Sequence, residues 1–247
     1  MGGNWKLNPT TVASAVSLAT EVAKLTKGVV DVDVCVFPPH PFLVPVFSKI
    51  EATNVKLGGQ NCYFMSEGAY TGAVSTCMLR DIGVTYVLAG HSERRSLFQD
   101  DDGAINMKVK KILKDGLKPV LCIGETREEY EAGLNHEVCA VQLMKDLVGV
   151  SPEEMLNIVI AYEPVWAIGS GLVCPADVAQ EVHAFIRSVI AKKYGTEVAN
   201  KIIIQYGGSV KPDNVKEIMS MPDIDGCLVG GAALTADSFA KIVNYKA

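Results

Sequence analysis

The stretch that decides the fold is Ile158–Gly171, which reads IVIAYEPVWAIGSG. Its first five residues are apolar, and mostly β-branched or small. Because nothing polar interrupts them, they predict a strand buried on both faces, as in a parallel sheet. The strand ends at Glu163, and Pro164 stops further ladder pairing. The apolar loop that follows, with Gly169 and Gly171, indicates a catalytic carboxylate followed by a hinged lid. The alternative is an ordinary strand end with a solvated glutamate and a packed loop.

The composition of the 247-residue chain suits one large α/β domain or two small ones. Apolar residues make up 49% of the chain and charged residues 21%, which allows a sizeable core and argues against disorder. The net charge of −5 argues against a nucleic-acid-binding protein. Seven cysteines without a C-x-x-C pair indicate reduced thiols in an intracellular protein. No apolar run reaches 18 residues, so no membrane span is predicted, and the first residues do not resemble a signal or transit peptide.

Strand-like and helix-like stretches alternate along the chain. The predicted strands are Gly2–Lys6, Asp33–Phe37, Lys56–Gln60, Tyr86–Gly90, Lys118–Ile123, Ile158–Glu163, Ile202–Gly207 and Gly226–Gly230. The predicted helices are Val12–Lys27, Phe42–Ile50, Ser75–Asp81, Asp101–Asp115, Glu137–Leu147, Asp177–Tyr194, Pro212–Ser220 and Ala236–Asn244. Eight βα units of about 31 residues each predict a parallel α/β barrel, with residues 1–247 as one domain. A doubly wound open sheet is the alternative. In both folds, functional sites belong at the carboxyl ends of the strands.

Polar residues at these strand ends form a candidate catalytic set. The first strand supplies Asn4 and Lys6, which alternation places on the same side. The fourth supplies His91 and the sixth supplies Glu163. Taken singly, a lysine here is more often solvated and a histidine more often structural. Together, a cation, a neutral proton donor and a base around one point suit proton abstraction beside a carbonyl.

Glycine-rich turns follow the seventh and eighth strands, at Tyr206–Ser209 and Leu228–Gly231. Adjacent glycines let backbone N–H groups face a phosphate. One such turn alone is equally consistent with a tight βα connection. Two at neighbouring strands of a barrel predict the phosphate site that is usual for this architecture.

These residues lie in five motifs by which the chain resembles the triosephosphate isomerase family over essentially its whole length. The motifs are Gly2–Lys6, Gly90–Arg95, Ala161–Gly169, Tyr206–Ser209 and Leu228–Gly231, in the family's order. The resemblance implies a (β/α)8 TIM barrel. It also implies a glycolytic and gluconeogenic isomerase that interconverts dihydroxyacetone phosphate and D-glyceraldehyde 3-phosphate through an enediolate, without metal or organic cofactor.

The resemblance further implies a role for each candidate residue. Glu163 is expected to be the base, His91 the neutral electrophile, and Lys6 and Asn4 the groups that meet the substrate's charge and oxygens. Glu93 is expected to pair with Lys6. The phosphate is expected to bind backbone N–H groups of Gly169, Ser209, Gly230 and Gly231. The lid, which carries Trp166 as a supporting residue, is expected to be latched by Tyr206 and Ser209 through backbone groups near Cys174 and Gly171.

The family's homodimer is also implied, because the loop Gln60–Thr76 is expected to reach the partner near its Lys6 and His91. Ala73 stands where the family usually carries a glutamate that pairs with an arginine matching Arg94. We therefore expect Arg94 to find water or another carboxylate, or to stay partly unpaired, and the dimer to be weakened.

Two other departures from the family pattern occur near the chain start and in the lid. The chain opens at Met1–Gly3, and the resulting short first strand is a second expected source of dimer weakening. We expect a cytoplasmic enzyme, although a trimmed targeting sequence would allow a plastid or other organelle. Leu172–Cys174 replaces the usual polar lid hinge.

Two other functions are compatible with the same fold. One is another phosphate-binding barrel enzyme, such as an epimerase or an aldolase, although an aldolase needs a Schiff-base lysine where the sixth strand ends in Glu163. The other is an inactive barrel kept as an interaction protein, against which the complete set of Lys6, His91 and Glu163 argues.

Overall fold

Eight parallel strands close into a barrel in the computed structural model, which describes residues 1–246. Each strand pairs with the next in sequence, and β1 pairs with both β2 and β8. The strands are β1 (Gly2–Asn4), β2 (Val34–Phe37), β3 (Val55–Gly59), β4 (Tyr86–Ala89), β5 (Lys118–Ile123), β6 (Val159–Tyr162), β7 (Ile203–Tyr206) and β8 (Gly226–Val229). The predicted fold class is confirmed, and the open-sheet alternative is wrong.

Helices surround the barrel. They are α1 (Val12–Leu25), α2 (Leu43–Ile50), α3 (Thr76–Ile82), α4 (Ser92–Leu97), α5 (Asp102–Lys114), α6 (Arg127–Glu131), α7 (Asn135–Asp146), α8 (Pro152–Met155), α9 (Ala176–Tyr194), α10 (Thr196–Lys201), α11 (Val215–Ile218) and α12 (Ala236–Val243). Short 3-10 helices occupy His40–Phe42, Val165–Ala167 and Gly231–Leu234. Every predicted helix is present, but the one expected over Pro212–Ser220 is reduced to the single turn of α11. None of the predicted helices covers α4, α6, α8 or α10.

Local chemistry sets the ends of these helices. α5 begins where the Asp101 carboxylate accepts a hydrogen bond from the Ala104 N–H at 2.7 Å, which satisfies one of the donors left free in a first helical turn. α3 ends at Gly83, which has a left-handed backbone. In α6, Thr126 and Glu129 form a reciprocal capping box. The connections between helices and strands are therefore defined by the local sequence.

Two separate apolar cores hold the barrel. The larger lies between the strands and the helices. The smaller fills the barrel interior and consists of Cys35, Phe37, Leu88, Val120, Cys122, Val159, Ala161 and Leu228. The interior has no room for a side chain at Gly58, where an added Cβ would lie 2.2 Å from the Phe37 ring. The barrel is thus a filled core, and ligands can bind only at its ends.

His183, on α9, is a buried titratable group in the outer core. Its side chain is fully buried, and its Nδ1–H donates to the carbonyl oxygen of Asp223 at 3.2 Å. The ring also meets Tyr162 edge-on, with a centroid separation of 5.7 Å. Burial lowers the pKa of His183 from 6.5 to about 4, so the folded protein holds this imidazole neutral.

We expect acid to destabilise the fold partly through His183. The unfolded chain takes up a proton near pH 6.5, whereas the folded chain does so only near pH 4. The stabilisation from the neutral ring is therefore present above pH 6.5 and is lost as the pH falls towards 4, up to about 3 kcal/mol. Urea unfolding at pH 7.5 and pH 4.5, for the wild type and His183→Gln, measures this. An equal loss of unfolding free energy in both proteins would contradict it.

Candidate active site

Glu163 lies at the carboxyl rim of the barrel, directly after β6. Its backbone N–H donates to the carbonyl oxygen of Ile123 at 2.7 Å, which ties it to the end of β5. This close approach requires a glycine opposite, because a Cβ added to Gly124 would lie 1.8 Å from the Glu163 carbonyl oxygen. The carboxylate is nearly inaccessible, with 2% of the residue's surface exposed. The reading of Glu163 as a solvated strand end is therefore wrong.

The Glu163 carboxylate is held by His91 and by the start of α4. Oε1 lies 3.0 Å from His91 Nε2, and Oε2 accepts a hydrogen bond from the backbone N–H of Ser92 at 2.8 Å. Both the carboxylate and the imidazole are buried. A negative charge beside the first N–H group of a helix is in a favourable field. The fourth and sixth strand ends thus place their candidate residues in direct contact.

The hydrogen bonds of His91 determine its tautomer. His91 is the N-cap of α4, and its Nδ1 accepts a hydrogen bond from the backbone N–H of Glu93 at 3.2 Å. Since an N–H can only donate, Nδ1 carries no proton, and the ring proton is on Nε2, facing Glu163. A neutral imidazole with its N–H directed into the cleft can donate to a carbonyl oxygen.

Lys6 is fixed from several sides. Its ammonium Nζ lies 2.6 Å from Glu93 Oε1, so the expected pairing of these side chains is present. Its backbone N–H donates to Asn4 Oδ1 at 3.0 Å. Its φ angle is +53°, in the left-handed region that residues other than glycine rarely occupy. The cation is therefore held in a geometry that its own backbone preferences oppose.

A single cavity of about 500 Å³ brings together the candidates from the first, fourth, sixth, seventh and eighth strand ends. The lid contributes Ile168 and Gly169 to its wall. The sequence-predicted residues that line it are Asn4, Lys6, His91, Glu163, Gly169, Ser209, Gly230 and Gly231. Glycine backbone and ionisable side chains therefore line the same cavity.

The N-terminal half of the lid is anchored by Glu125, a residue that sequence reasoning missed. Glu125 is fully buried, and one of its oxygens accepts hydrogen bonds from Tyr162 Oη at 3.0 Å and Trp166 Nε1 at 2.7 Å. Trp166 also stacks on Tyr130, with a centroid separation of 4.3 Å. Burial raises the pKa of the Glu125 carboxyl. The strand-end rule could have found this residue, because Glu125 follows β5 and Gly124.

The C-terminal half of the lid is more open. Gly169 and Gly171 have positive φ angles, and the apolar side chains of Leu172 and Val173 are exposed. Tyr206 is buried beside Cys174, where the lid rejoins the fold. Within residues 1–246, no hydrogen bond joins Ser209 to Gly171. The Tyr206 hydroxyl likewise has no hydrogen-bond partner among the described residues, so the latch stays a prediction.

No metal-binding cluster of three or more histidine, cysteine, aspartate or glutamate side chains occurs among residues 1–246. The same part of the chain contains no helix with the length and apolar character needed to span a bilayer.

The closed parallel barrel thus carries at its carboxyl rim a glycine-lined cavity with a carboxylate–imidazole pair, an arrangement typical of barrel enzymes. The family model for triosephosphate isomerase matches residues 1–246. The chain is 51% identical to the triosephosphate isomerase of Carboxydothermus hydrogenoformans and 49% identical to that of Fusobacterium nucleatum, in each case over 99% of this chain and 97% of the relative. Identity to the Clostridium novyi enzyme is 46%, over the same shares.

The chain therefore belongs to the triosephosphate isomerase family. Its reaction is the interconversion of dihydroxyacetone phosphate and D-glyceraldehyde 3-phosphate by glutamate-mediated proton transfer through an enediolate, a step of glycolysis and gluconeogenesis. The predicted isomerase is confirmed. The epimerase, aldolase and inactive-barrel alternatives are set aside.

The anchoring role of Glu125 can be tested with two substitutions. Glu125→Leu leaves the Tyr162 hydroxyl and the Trp166 N–H buried without an acceptor, so we expect the free energy of unfolding to fall by about 2 to 4 kcal/mol. Glu125→Gln keeps an acceptor oxygen and removes a buried carboxyl, so we expect it to stay within about 1 kcal/mol of the wild type. Urea unfolding and tryptophan fluorescence report both changes. Equal stability of the two variants would contradict the anchoring role.

Proposed function

We propose that Glu163 is the base that carries the proton between the two substrate carbons, and that His91 is the neutral electrophile that polarises the carbonyl. The observation that carries this proposal is the 3.0 Å contact between Glu163 Oε1 and His91 Nε2 inside the cavity that the glycine loops line. A carboxylate that can accept a proton and an imidazole N–H that can donate to a carbonyl oxygen are the two groups that enolisation requires.

Substrate binding has to separate this pair. Since Glu163 and His91 touch each other, no substrate atom fits between them in the conformation described. The carboxylate would leave His91 Nε2 and the Ser92 N–H, and turn towards the substrate carbon. His91 Nε2–H would then donate to the substrate carbonyl oxygen. Those two hydrogen bonds hold the base in a defined position before substrate arrives.

Lys6 and Asn4 are proposed to bind the polar half of the substrate. The Lys6 ammonium lies in the cavity near Gly230 and is only partly neutralised by Glu93, because both side chains of the pair are partly exposed. It can therefore offset both the phosphate charge and the charge that develops on the enediolate oxygens. Asn4 presents its amide nitrogen to the same cavity while its oxygen holds the Lys6 N–H.

The phosphate is proposed to bind the backbone N–H groups of Gly169, Ser209, Gly230 and Gly231. These residues all line the same cavity. Gly169 belongs to the lid, so phosphate binding would favour lid closure. A closed lid would exclude water and keep the enediolate from losing its phosphate. Trp166 and Tyr206 are proposed to support the two ends of this lid.

The base role predicts a sharp loss of turnover in Glu163→Asp. The shorter side chain withdraws the carboxylate by about 1 Å, and misplacement on this scale can cost roughly a hundredfold in rate. A coupled assay of glyceraldehyde 3-phosphate isomerisation measures kcat, and circular dichroism checks the fold. Glu197→Asp, at an exposed site on α10, is the matched control. An unchanged kcat in Glu163→Asp would remove this residue from the base role.

The protein is further proposed to act as a homodimer. A groove of about 780 Å³ opens beside the active site and reaches Lys6 and His91. The loop of residues 60–76 forms one wall of the groove, and Met65 and Tyr70 are exposed on it. Leu97, which is 72% exposed, also lines the groove. A projecting apolar loop beside a groove of matching character suits a two-fold contact with a second copy.

The interface differs from the family pattern at Arg94. Its Nε donates to Asp100 Oδ2 at 2.8 Å, and its guanidinium lies 4.6 Å from the centre of the Phe98 ring. Of the three outcomes expected from the sequence, Arg94 therefore finds another carboxylate, within its own chain. Ala73 cannot supply the carboxylate that the family resemblance places opposite this arginine, which supports the proposal of a weakened dimer.

Restoring the acid tests this proposal. We expect Ala73→Glu to lower the dimer dissociation constant about tenfold by giving Arg94 a second carboxylate partner across the interface. Ala73→Gln, which has the same shape without the charge, is the control and should leave the constant unchanged. Equilibrium sedimentation across a dilution series decides between the outcomes. Equal constants for the three proteins, or a wild-type dimer that persists at nanomolar concentration, would refute the weakened interface.

A cytoplasmic location and a single domain over residues 1–247 complete the proposal. The location is supported by seven free cysteines, which are typical of a reducing compartment. The single domain is supported by the closure of the barrel between β1 and β8, which joins the two ends of the chain.

A further inference from the structure

The backbone of Lys6 adopts a conformation that lysine disfavours. Within residues 1–246, Lys6 and Gln99 are the non-glycine residues with positive φ angles. Returning Lys6 to an ordinary helical or extended φ would rotate its backbone by about 110° or more. The side chain would then leave the position in which Nζ meets Glu93 and approaches Gly230. Something must therefore hold this backbone in place.

Gln60 makes the contact that holds it. Its Nε2 donates one hydrogen bond to the Lys6 carbonyl oxygen at 2.7 Å and another to the Phe37 carbonyl oxygen at 2.9 Å. Because both partners are carbonyl oxygens, which can only accept, the atom that faces them must be the amide nitrogen. Both amide hydrogens are used. The Phe37 oxygen also accepts the Trp5 N–H at 3.1 Å, so this one amide joins the ends of β1, β2 and β3.

Of the three contacts on Lys6, two hold its backbone and one holds its charged group. Asn4 holds the Lys6 N–H and Gln60 holds its carbonyl oxygen, which together fix the peptide groups on both sides of the unusual φ angle. Glu93 orients the ammonium. Asn4 precedes Lys6 by only two residues, whereas Gln60 directly follows β3 and is 54 residues away in the chain. Gln60 is therefore the contact that ties Lys6 to the barrel frame.

We propose that Gln60 is a positioning residue for the isomerisation, which keeps Lys6 in the left-handed conformation that directs its ammonium into the substrate cavity. This inference rests on the proposed role of Lys6. Gln60 does not line the substrate cavity itself, and it acts only through the lysine. Its removal should therefore impair binding of the anionic substrate while the fold persists.

The test compares Gln60→Leu with Gln142→Leu. Gln142 is a matched control because it is also a half-buried amide that bridges backbone at a strand end, bonding the N–H and carbonyl of Gly124 at 2.8 and 3.2 Å. We expect Gln60→Leu to lower kcat/KM at least tenfold, with a raised KM, because the lysine that attracts the substrate is displaced. Gln142→Leu should lose stability without a change in KM. Kinetics at two protein concentrations, tenfold apart, separate this effect from weaker dimerisation.

A double-mutant cycle with Lys6→Met makes the test specific. If Gln60 acts through Lys6, adding Gln60→Leu to Lys6→Met should change kcat/KM by less than twofold. If the two substitutions lower kcat/KM independently, so that their effects multiply in the double mutant, the inference is overturned. It is also overturned if Gln60→Leu keeps the wild-type KM and kcat while Lys6→Met is impaired. Wild-type kinetics in Lys6→Met would overturn the proposed role of Lys6 and this inference with it. If Gln60→Leu does not fold, Gln60→Asn, whose amide is drawn back by one carbon, replaces it in the same comparison.

Discussion

The pairing of β1 with β8 is the interaction on which the rest of the structure depends. Gly2 pairs with Leu228 and Gly3 with Val229, and this short parallel ladder turns an open sheet into a closed barrel. Closure brings the ends of the first and last strands to the same rim, so Lys6 lies within reach of Gly230. Without it, the Lys6 cation and the glycine turn after β8 would belong to opposite edges of a sheet. The strand topology therefore brings the residues of the site together, and side-chain contacts then fix their positions.

Hydrogen bonds to backbone atoms then fix the side chains that barrel closure has brought to one rim. The Ser92 N–H fixes the Glu163 carboxylate, and the Glu93 N–H fixes the tautomer of His91. Both N–H groups belong to the first turn of α4, where the helix leaves its donors free. One helix start therefore sets the position of the Glu163 carboxylate and the tautomer of His91. The helix does this without a side chain of its own in the substrate cavity.

Sequence reasoning reached the fold and most of the candidate residues for a physical reason. Parallel strands all point the same way, so a residue that follows a strand must lie at the functional rim, as Glu163 and His91 do. The reasoning missed contacts that depend on distance in space. Glu125 lies 41 residues from Trp166, and Gln60 lies 54 residues from Lys6. No local period or motif records such pairs. Helix α4 was missed because its six residues, SERRSL, carry no apolar stripe.

Because most of the thiols are buried, their reactivity can report where the folded protein unfolds locally. Six of the seven cysteines are buried, and Cys77 is the half-exposed exception. Burial raises the pKa of the buried thiols, for example that of Cys62 to about 12, so they are neither reachable nor ionised in the folded state. The six sites are distributed from β2 to β8, which places a silent thiol in most parts of the barrel. The rate at which a thiol-specific reagent modifies each cysteine would therefore show the order in which the parts of the fold unfold.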